Sequence, residues 1–431
     1  MKLSEDVLQY IWKYGLFNCS TLITKKGKSL QIRSVGKYNE HAGPDFEEAR
    51  IIMEGIEWVG NIEIHIKASD WYRHKHHVNA AYNNVILHVV YEADMPIRLQ
   101  DGTTPETFEL KGFIDQSLLD GYRVMVESCE WIPCASQISV VNTFNISHWL
   151  ERLLIERLIV KQQSTATVLK ASKGSWDDVT YILLAKSFGF KVNALPFEHL
   201  AVSLPYNLVM KYRDNAQVLE ALVFGQAGML QQQIFIDDYP NKLRRTYLYY
   251  RKQYGLKPMD ISAWKFLRMR PGNFPSLRLA QFAAICIKLG SFFSQIIAAQ
   301  SLQELRQLFA NLHVNEYWAE HYRFDVPAKK HSLRLGAASI DNIILNTMVT
   351  ILFSYGKYIG KEAYIYRAIS FLEQLNPERN DVISKYKSLG IKVRSAADSQ
   401  ALLQLKQSYC SINKCLDCGI GLQIFKQNRM L

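Results

Sequence analysis

The sequence predicts an α+β protein in which a sheet-bearing N-terminal part precedes a mostly helical remainder. Three features point to this. Between residues 29 and 91 apolar and polar side chains alternate with the period of two that half-buried strands require. From about Asn145 onward the pattern changes to long helical stretches. Near that same place the charge changes sign: residues 1–130 hold 14 Lys+Arg and 19 Asp+Glu, a net of −5, whereas residues 131–431 hold 37 and 21, a net of +16.

The elements follow in order. Ser4 precedes Glu5, Asp6 and the apolar set Val7, Leu8, Ile11 and Trp12, with Tyr14 and Gly15 at the stop, which describes a capped amphipathic helix. Residues 29–35, 48–53 and 58–67 show strand alternation, separated by turn-forming Gly, Asn and His. After Ser69 or Asp70 as N-cap, residues 71–82 predict a polar helix, and 84–91 (NVILHVVY) a buried strand. The order is α-β-β-β-α-β. Short strands near Ile97 and at 108–114 extend the sheet, and a helix follows near 118–126.

Helices are expected at 146–169, 177–188, 218–224, 243–254, 277–289, 302–312, 340–358 and 361–375, without a fixed repeat, which argues against a solenoid. Beyond Asn376-Pro377 a short helix runs towards Gly390, and the chain ends in a Cys-containing tail. Two domains result: 1–130, and 145–431 including that tail.

A chain of 431 residues with 48% apolar and 21% charged residues has material for a large core, and extended disorder and fibrous repeats are excluded. Seven scattered cysteines and an N-terminus without a signal-peptide pattern point to a reducing cytoplasm. The most apolar window, 340–353, contains Asp341, Asn342, Asn346 and Thr350; it is too short and too polar for a membrane span and predicts a buried helix. No membrane partner is expected.

The chemistry concentrates in the acidic part. Six of the eleven histidines (His41, His65, His74, His76, His77 and His88) fall within 48 residues. Gly43-Pro44-Asp45 is followed by Asn61-Ile62-Glu63-Ile64-His65-Ile66-Lys67, a strand whose isoleucines face one way and whose Glu63, His65 and Lys67 face the other. Asp45, at the start of the preceding strand, can lie beside Glu63, and two carboxylates hold a hard cation such as Mg²⁺ or Mn²⁺. Glu5 is a further candidate acid. His74 and His77, three apart on the predicted helix, can share a face and ligate a transition metal with His65, or line a cleft that contacts phosphate. His88 is either a hydrogen-bonded core histidine or a member of the same cleft.

Two other groups stand out. Cys410, Cys415 and Cys418 have C-x4-C-x2-C spacing, which suits zinc or an iron–sulfur cluster with a fourth ligand from Cys129 or Cys134; buried thiols are the alternative. In the helical part Arg268, Arg270 and Arg278 surround a Pro-rich turn, Lys242, Arg244 and Arg245 cluster among tyrosines, and Lys329, Lys330, His331 and Arg334 form a third group. Basic residues interleaved with aromatics suit phosphate contact and base stacking, so nucleic acid is the expected partner.

The α-β-β-β-α-β order with Pro44-Asp45 on one strand and Glu63-x-His65 on the next resembles the PD-(D/E)XK nuclease superfamily, whose fold is restriction-endonuclease-like, over roughly residues 1–95. The resemblance implies that Asp45 and Glu63 bind metal. Its water-orienting Lys falls at His65, so that His65 takes this role, Lys67 reaches back, or the site is inactive. Over nearly the whole chain the phrases HAGPDFEEARI, GNIEIHIKASDWYRHKHH, NVILHVVYEAD, RPGNFPSLRLAQ, SIDNIILNTMVTILFSYG and YCSINKCLDCGIG resemble the domain-of-unknown-function family numbered 2851, found widely in Bacteroidetes. Together these features lead to the expectation of a metal-dependent phosphodiesterase acting on nucleic acid. A catalytically inactive nucleic-acid-binding or scaffold protein, or a metal hydrolase of a small substrate, are the alternatives.

Overall fold

The alternation in residues 29–91 supplies five strands of one seven-stranded sheet. The computed structural model describes residues 3–39, 41–288 and 290–428. They divide into two units: the first takes the chain up to Trp149, Ser388–Ile391 and the residues from Leu405 on, and the second takes Leu150–Lys387 and Lys392–Gln404. The Cys-containing tail is therefore grouped with the sheet and not with the helices.

In the first unit, helix α1 (Glu5–Lys13) precedes β1 (Leu22–Ile23), β2 (Ser29–Ser34), β3 (Lys37–Tyr38), β4 (Phe46–Met53), β5 (Ile56–Lys67), β6 (Val85–Glu92) and β7 (Glu106–Glu109). The strand order is β1-β2-β4-β5-β6-β7, with β3 paired to β4. Pairing is antiparallel as far as β5 and parallel for β5–β6 and β6–β7. Parallel strands are usually buried on both faces, and β5 conforms: Ile62 and Ile64 are buried on one side, Glu63 and His65 on the other. Phe108 lies in register with Val89 and Ile64, and Trp12 and Phe17 pack against its ring, so α1 covers the isoleucine face.

The opposite face departs from expectation. The predicted helix 71–82 ends after one turn, α2 (Asp70–Arg73), because Lys75 adopts a left-handed φ of 61°. The chain continues as isolated turns, His76–Val78 and Ala80–Tyr82, and the Asn79 side chain accepts the Ala81 amide, the local hydrogen bond by which Asn competes with helix. No strand forms at Ile97, which is buried in a loop closed by the Leu99 amide on the Thr103 carbonyl. The strand expected at 108–114 begins and ends earlier, as β7, because Leu110–Phe113 turns towards helix α3 (Gln116–Val126).

The second unit is helical, as expected, with most helices where the periodicity places them, including Trp176–Phe188, Ala216–Gln226, Asp238–Tyr254 and Glu362–Gln374. The helix at 277–289 is Pro275–Lys288, and Leu289 lies outside the described residues. Three short helices, Ala194–Ser203, Tyr206–Lys211 and Phe292–Ala298, and the hairpin His321–Arg323 with Val326–Pro327 carry too little periodicity to be read in advance. The apolar stretch Ala337–Ile359 is long and apolar enough to cross a membrane, but most of its apolar window is buried inside the fold. It contains a π-helical turn, Ile344–Met348.

Candidate metal centre

Asp45 and Glu63 are locked together by backbone. Gly43, at φ +122°, a conformation that glycine tolerates, makes the turn into Pro44 and Asp45. The Asp45 amide donates to Glu63 Oε2 (3.1 Å), and the Ile64 amide donates to Asp45 Oδ2 (2.9 Å). Gln9 of α1 donates to Asp45 Oδ1 (2.8 Å) and accepts from the Tyr38 hydroxyl (3.2 Å). Each carboxylate oxygen of Asp45 thus has one donor and keeps a lone pair.

Around Glu63 gather four imidazoles. His65 Nδ1 lies 2.8 Å from His88 Nε2, and His65 Nε2 lies 3.1 Å from His74 Nδ1. Glu63 Oε1 is 3.2 Å from His76 Nε2 and 3.6 Å from His65 Nε2. One ligand nitrogen from each of His65, His74 and His76 falls within 4.8 Å of the others, the spacing of a shared metal ion. Trp71 packs edge-on against His76 and His88, and Tyr82 stacks on His76 at 3.9 Å while donating to the Gly43 carbonyl (3.3 Å). These two rings wall the cluster with apolar surface.

Burial dominates the electrostatics of the cluster. Burial, then the Glu63 charge, pushes the Asp45 carboxyl up to about 7, and burial pushes Glu63 up to about 8. Burial raises Glu5 as well; His74 and Asp70 act on it, which places its carboxyl beside the cluster. Burial and the neighbouring imidazoles push His65 down to about 2 and His88 to about 3, and burial lowers His76. Neutral imidazoles have lone pairs to give, and the acids lack positive charge. Buried Glu5 Oε1 has no hydrogen-bond partner, and the polar contact of His76 Nε2 is its ion-pair approach to Glu63 Oε1.

Asp45, Glu63 and His65 therefore converge as expected, and Lys67 does not. Lys67 is exposed at the end of β5, its amide donates to Asp70 (3.1 Å), and its charge acts on Asp94. His77, expected to pair with His74, packs against Tyr72 at 5.0 Å, and His76 takes the place beside His74 because the helix breaks at Lys75. The sequence does not single out His76 as a ligand or Gln9 as a partner of Asp45, since neither has a spacing that signals ligation. His88 belongs to the cluster through His65.

Of the basic candidates, Arg268, Arg270, Lys242 and Arg245 are exposed and Arg244 half-buried. Arg278 is not available to a polyanion. It is 5% exposed, donates to Gln281 (2.9 Å), Asn273 (2.6 Å) and Ser339 (3.3 Å), and stacks over Phe190; burial lowers its pKa to about 10. Three neutral acceptors in one place are a structural socket for a guanidinium.

A family model described as a protein of unknown function (DUF2851) matches residues 5–381. No curated protein and no solved structure matches the chain.

Proposed function

The chain is a member of the DUF2851 family, and we propose from its own side chains that it is a metal-dependent phosphodiesterase of nuclease type. The observation that carries this is the convergence of His65, His74 and His76 nitrogens, within 4.8 Å of one another, beside the Glu63 carboxylate. A nitrogen-rich donor set suits Zn²⁺, with the Glu63 carboxylate also acceptable to Mn²⁺, whereas Mg²⁺ prefers oxygen throughout. An ion there would neutralise phosphoryl charge and lower the pKa of bound water.

The chain's residues divide the remaining work. Glu63 contributes the carboxylate, held in place by the Asp45 amide. For His65 to be a ligand, His88 Nε2 has to accept from His65 Nδ1, the tautomer that leaves His65 Nε2 with its lone pair towards the ion. In this arrangement His65 is a ligand, and Asp45, half-buried behind Glu63, remains able to hold the ion or a proton. The restriction-endonuclease-like reading is supported by the antiparallel β2-β4-β5 followed by parallel β6, with Asp45 leading into β4 and Glu63 and His65 on β5. Nucleic acid as partner is supported by the exposed Lys242, Arg245, Arg268 and Arg270 in the part of the chain with net charge +16.

The test is cleavage of single- and double-stranded DNA and RNA with Mn²⁺ or Zn²⁺. Turnover should vanish with chelator and in Glu63→Gln and His76→Ala. Undiminished turnover in both variants would overturn the assignment. The low exposure of His65 (1%) and Glu63 (5%) favours a second reading, a metal hydrolase of a small substrate. Hydrolysis of small phosphodiesters with polymers left intact would establish it. Salt-sensitive nucleic-acid binding without turnover under any ion would establish the inactive, binding-only alternative.

A further inference from the structure

Four cysteines of the first unit gather at one place. Cys410, Cys415 and Cys418 line one recess, and Cys134 lines it with them. All four are buried, between 7% and 9% exposed, and no disulfide joins them. Cys410, Cys415 and Cys418 all act electrostatically on Cys134, as groups sharing one small volume do. Cys129, the other candidate for fourth ligand, is exposed, with its thiol directed at the Glu127 carbonyl.

Burial pushes the Cys415 and Cys418 thiols up to about 12, and the local contacts of Cys418 oppose that rise. Cys418 sits at the N-terminus of the ten-residue helix Gly419–Asn428, where the Ile420 and Gly421 amides donate to its sulfur and the helix dipole favours negative charge. Gly421 is required there, since a Cβ would run into the Cys415 carbonyl. Lys414 adds a cation to the lining.

The spacing of the sulfurs selects the occupant. A single Zn²⁺ with Zn–S bonds of about 2.3 Å would draw tetrahedral thiolates to roughly 4 Å from one another. Among the described residues the three imidazoles are the set whose ligand atoms all lie within 4.8 Å; no three of these sulfurs do. We propose that Cys134, Cys410, Cys415 and Cys418 bind an iron–sulfur cluster, which spreads its four thiolates over several irons. The cluster ties the loop at Cys134 to the C-terminal tail, where Lys406 already donates to the Trp131 carbonyl (2.8 Å) and Phe425 packs on Tyr10 of α1 (5.5 Å). Its role is structural, and it does not depend on the histidine centre.

Anaerobic purification followed by reconstitution with ferrous iron and sulfide tests it. Iron and acid-labile sulfide should appear in equal amounts with broad visible absorbance. Both should be lost in Cys134→Ser and Cys418→Ser and retained in Cys129→Ser and Cys286→Ser. Where the serine variants do not fold, X-ray absorption at the iron edge of the wild-type chain should show sulfur and iron neighbours. One zinc per chain with no sulfide would overturn the cluster, as would the absence of both metals.

Discussion

His88 Nε2 lies 2.8 Å from His65 Nδ1, across the parallel pair β5–β6. A fully buried imidazole with no charge of its own thereby sets which nitrogen of a second imidazole faces Glu63.

Replacing His88 should weaken the ion without unfolding the sheet. His88→Leu is expected to lower Mn²⁺ or Zn²⁺ affinity about 10- to 100-fold, the usual effect of losing a partner behind a ligand. His88→Gln, which still accepts a hydrogen bond, should retain most of the affinity. Calorimetric titration checks both, and equal affinities in the Leu variant and the wild type would remove His88 from this role.

Binding at the histidine centre should stabilise the fold. At an ion concentration of about 100 times Kd the gain is about 2.7 kcal/mol, visible as a concentration-dependent rise in Tm that chelator reverses. His74→Ala and His76→Ala should abolish the rise. His77→Ala should keep it, because His77 faces Tyr72.

Glu220 supplies a pH dependence independent of the histidine and cysteine clusters. It accepts from Tyr239 (3.0 Å) and Asn315 (3.4 Å), and burial pushes its carboxyl from the ordinary 4.5 up to about 6. The folded chain therefore holds this proton more tightly than the unfolded one. The stabilisation is fully present below pH 4.5 and is lost as the pH rises through about 6. Between those limits wild type should lose on the order of 2 kcal/mol relative to Glu220→Gln. Urea unfolding of the two proteins at both pH values measures the difference; parallel stabilities would contradict it.

The arginines should separate by burial. Arg278→Ala removes three side-chain hydrogen bonds, one of them to the buried Gln281, and is expected to cost about 1–3 kcal/mol in unfolding free energy. Arg268→Ala and Arg270→Ala should change stability by less than about 0.5 kcal/mol while weakening and flattening salt-dependent nucleic-acid binding. Denaturation and binding isotherms across a salt series distinguish the two classes.

Much of the candidate site was legible before folding. Period-two alternation put Glu63 and His65 on one side of one strand, and the Pro44-Asp45 turn put a second acid at the start of its neighbour. The same periodicity did not show that the polar side of β5 is buried, because that depends on Trp71, Tyr82 and the histidine turns that cover it. Helical spacing suggested His74 with His77, and the left-handed Lys75 substituted His76. Arg278 looked like its exposed neighbours in a basic, Pro-rich segment, and only Asn273, Gln281 and Ser339 make it interior.

By itself the sequence determined what local periodicity and spacing encode: an acidic strand-rich part before a basic helical one, Glu63 beside His65, and three cysteines with the spacing of a metal motif. Tertiary structure alone decided which distant groups complete these sets, namely His88 from the parallel strand, Gln9 from α1, and Cys134 opposite the C-terminal cysteines. The physical reason is that a ligand set is defined by distances between side chains. Those distances are local within a strand or turn, and beyond that they follow from packing.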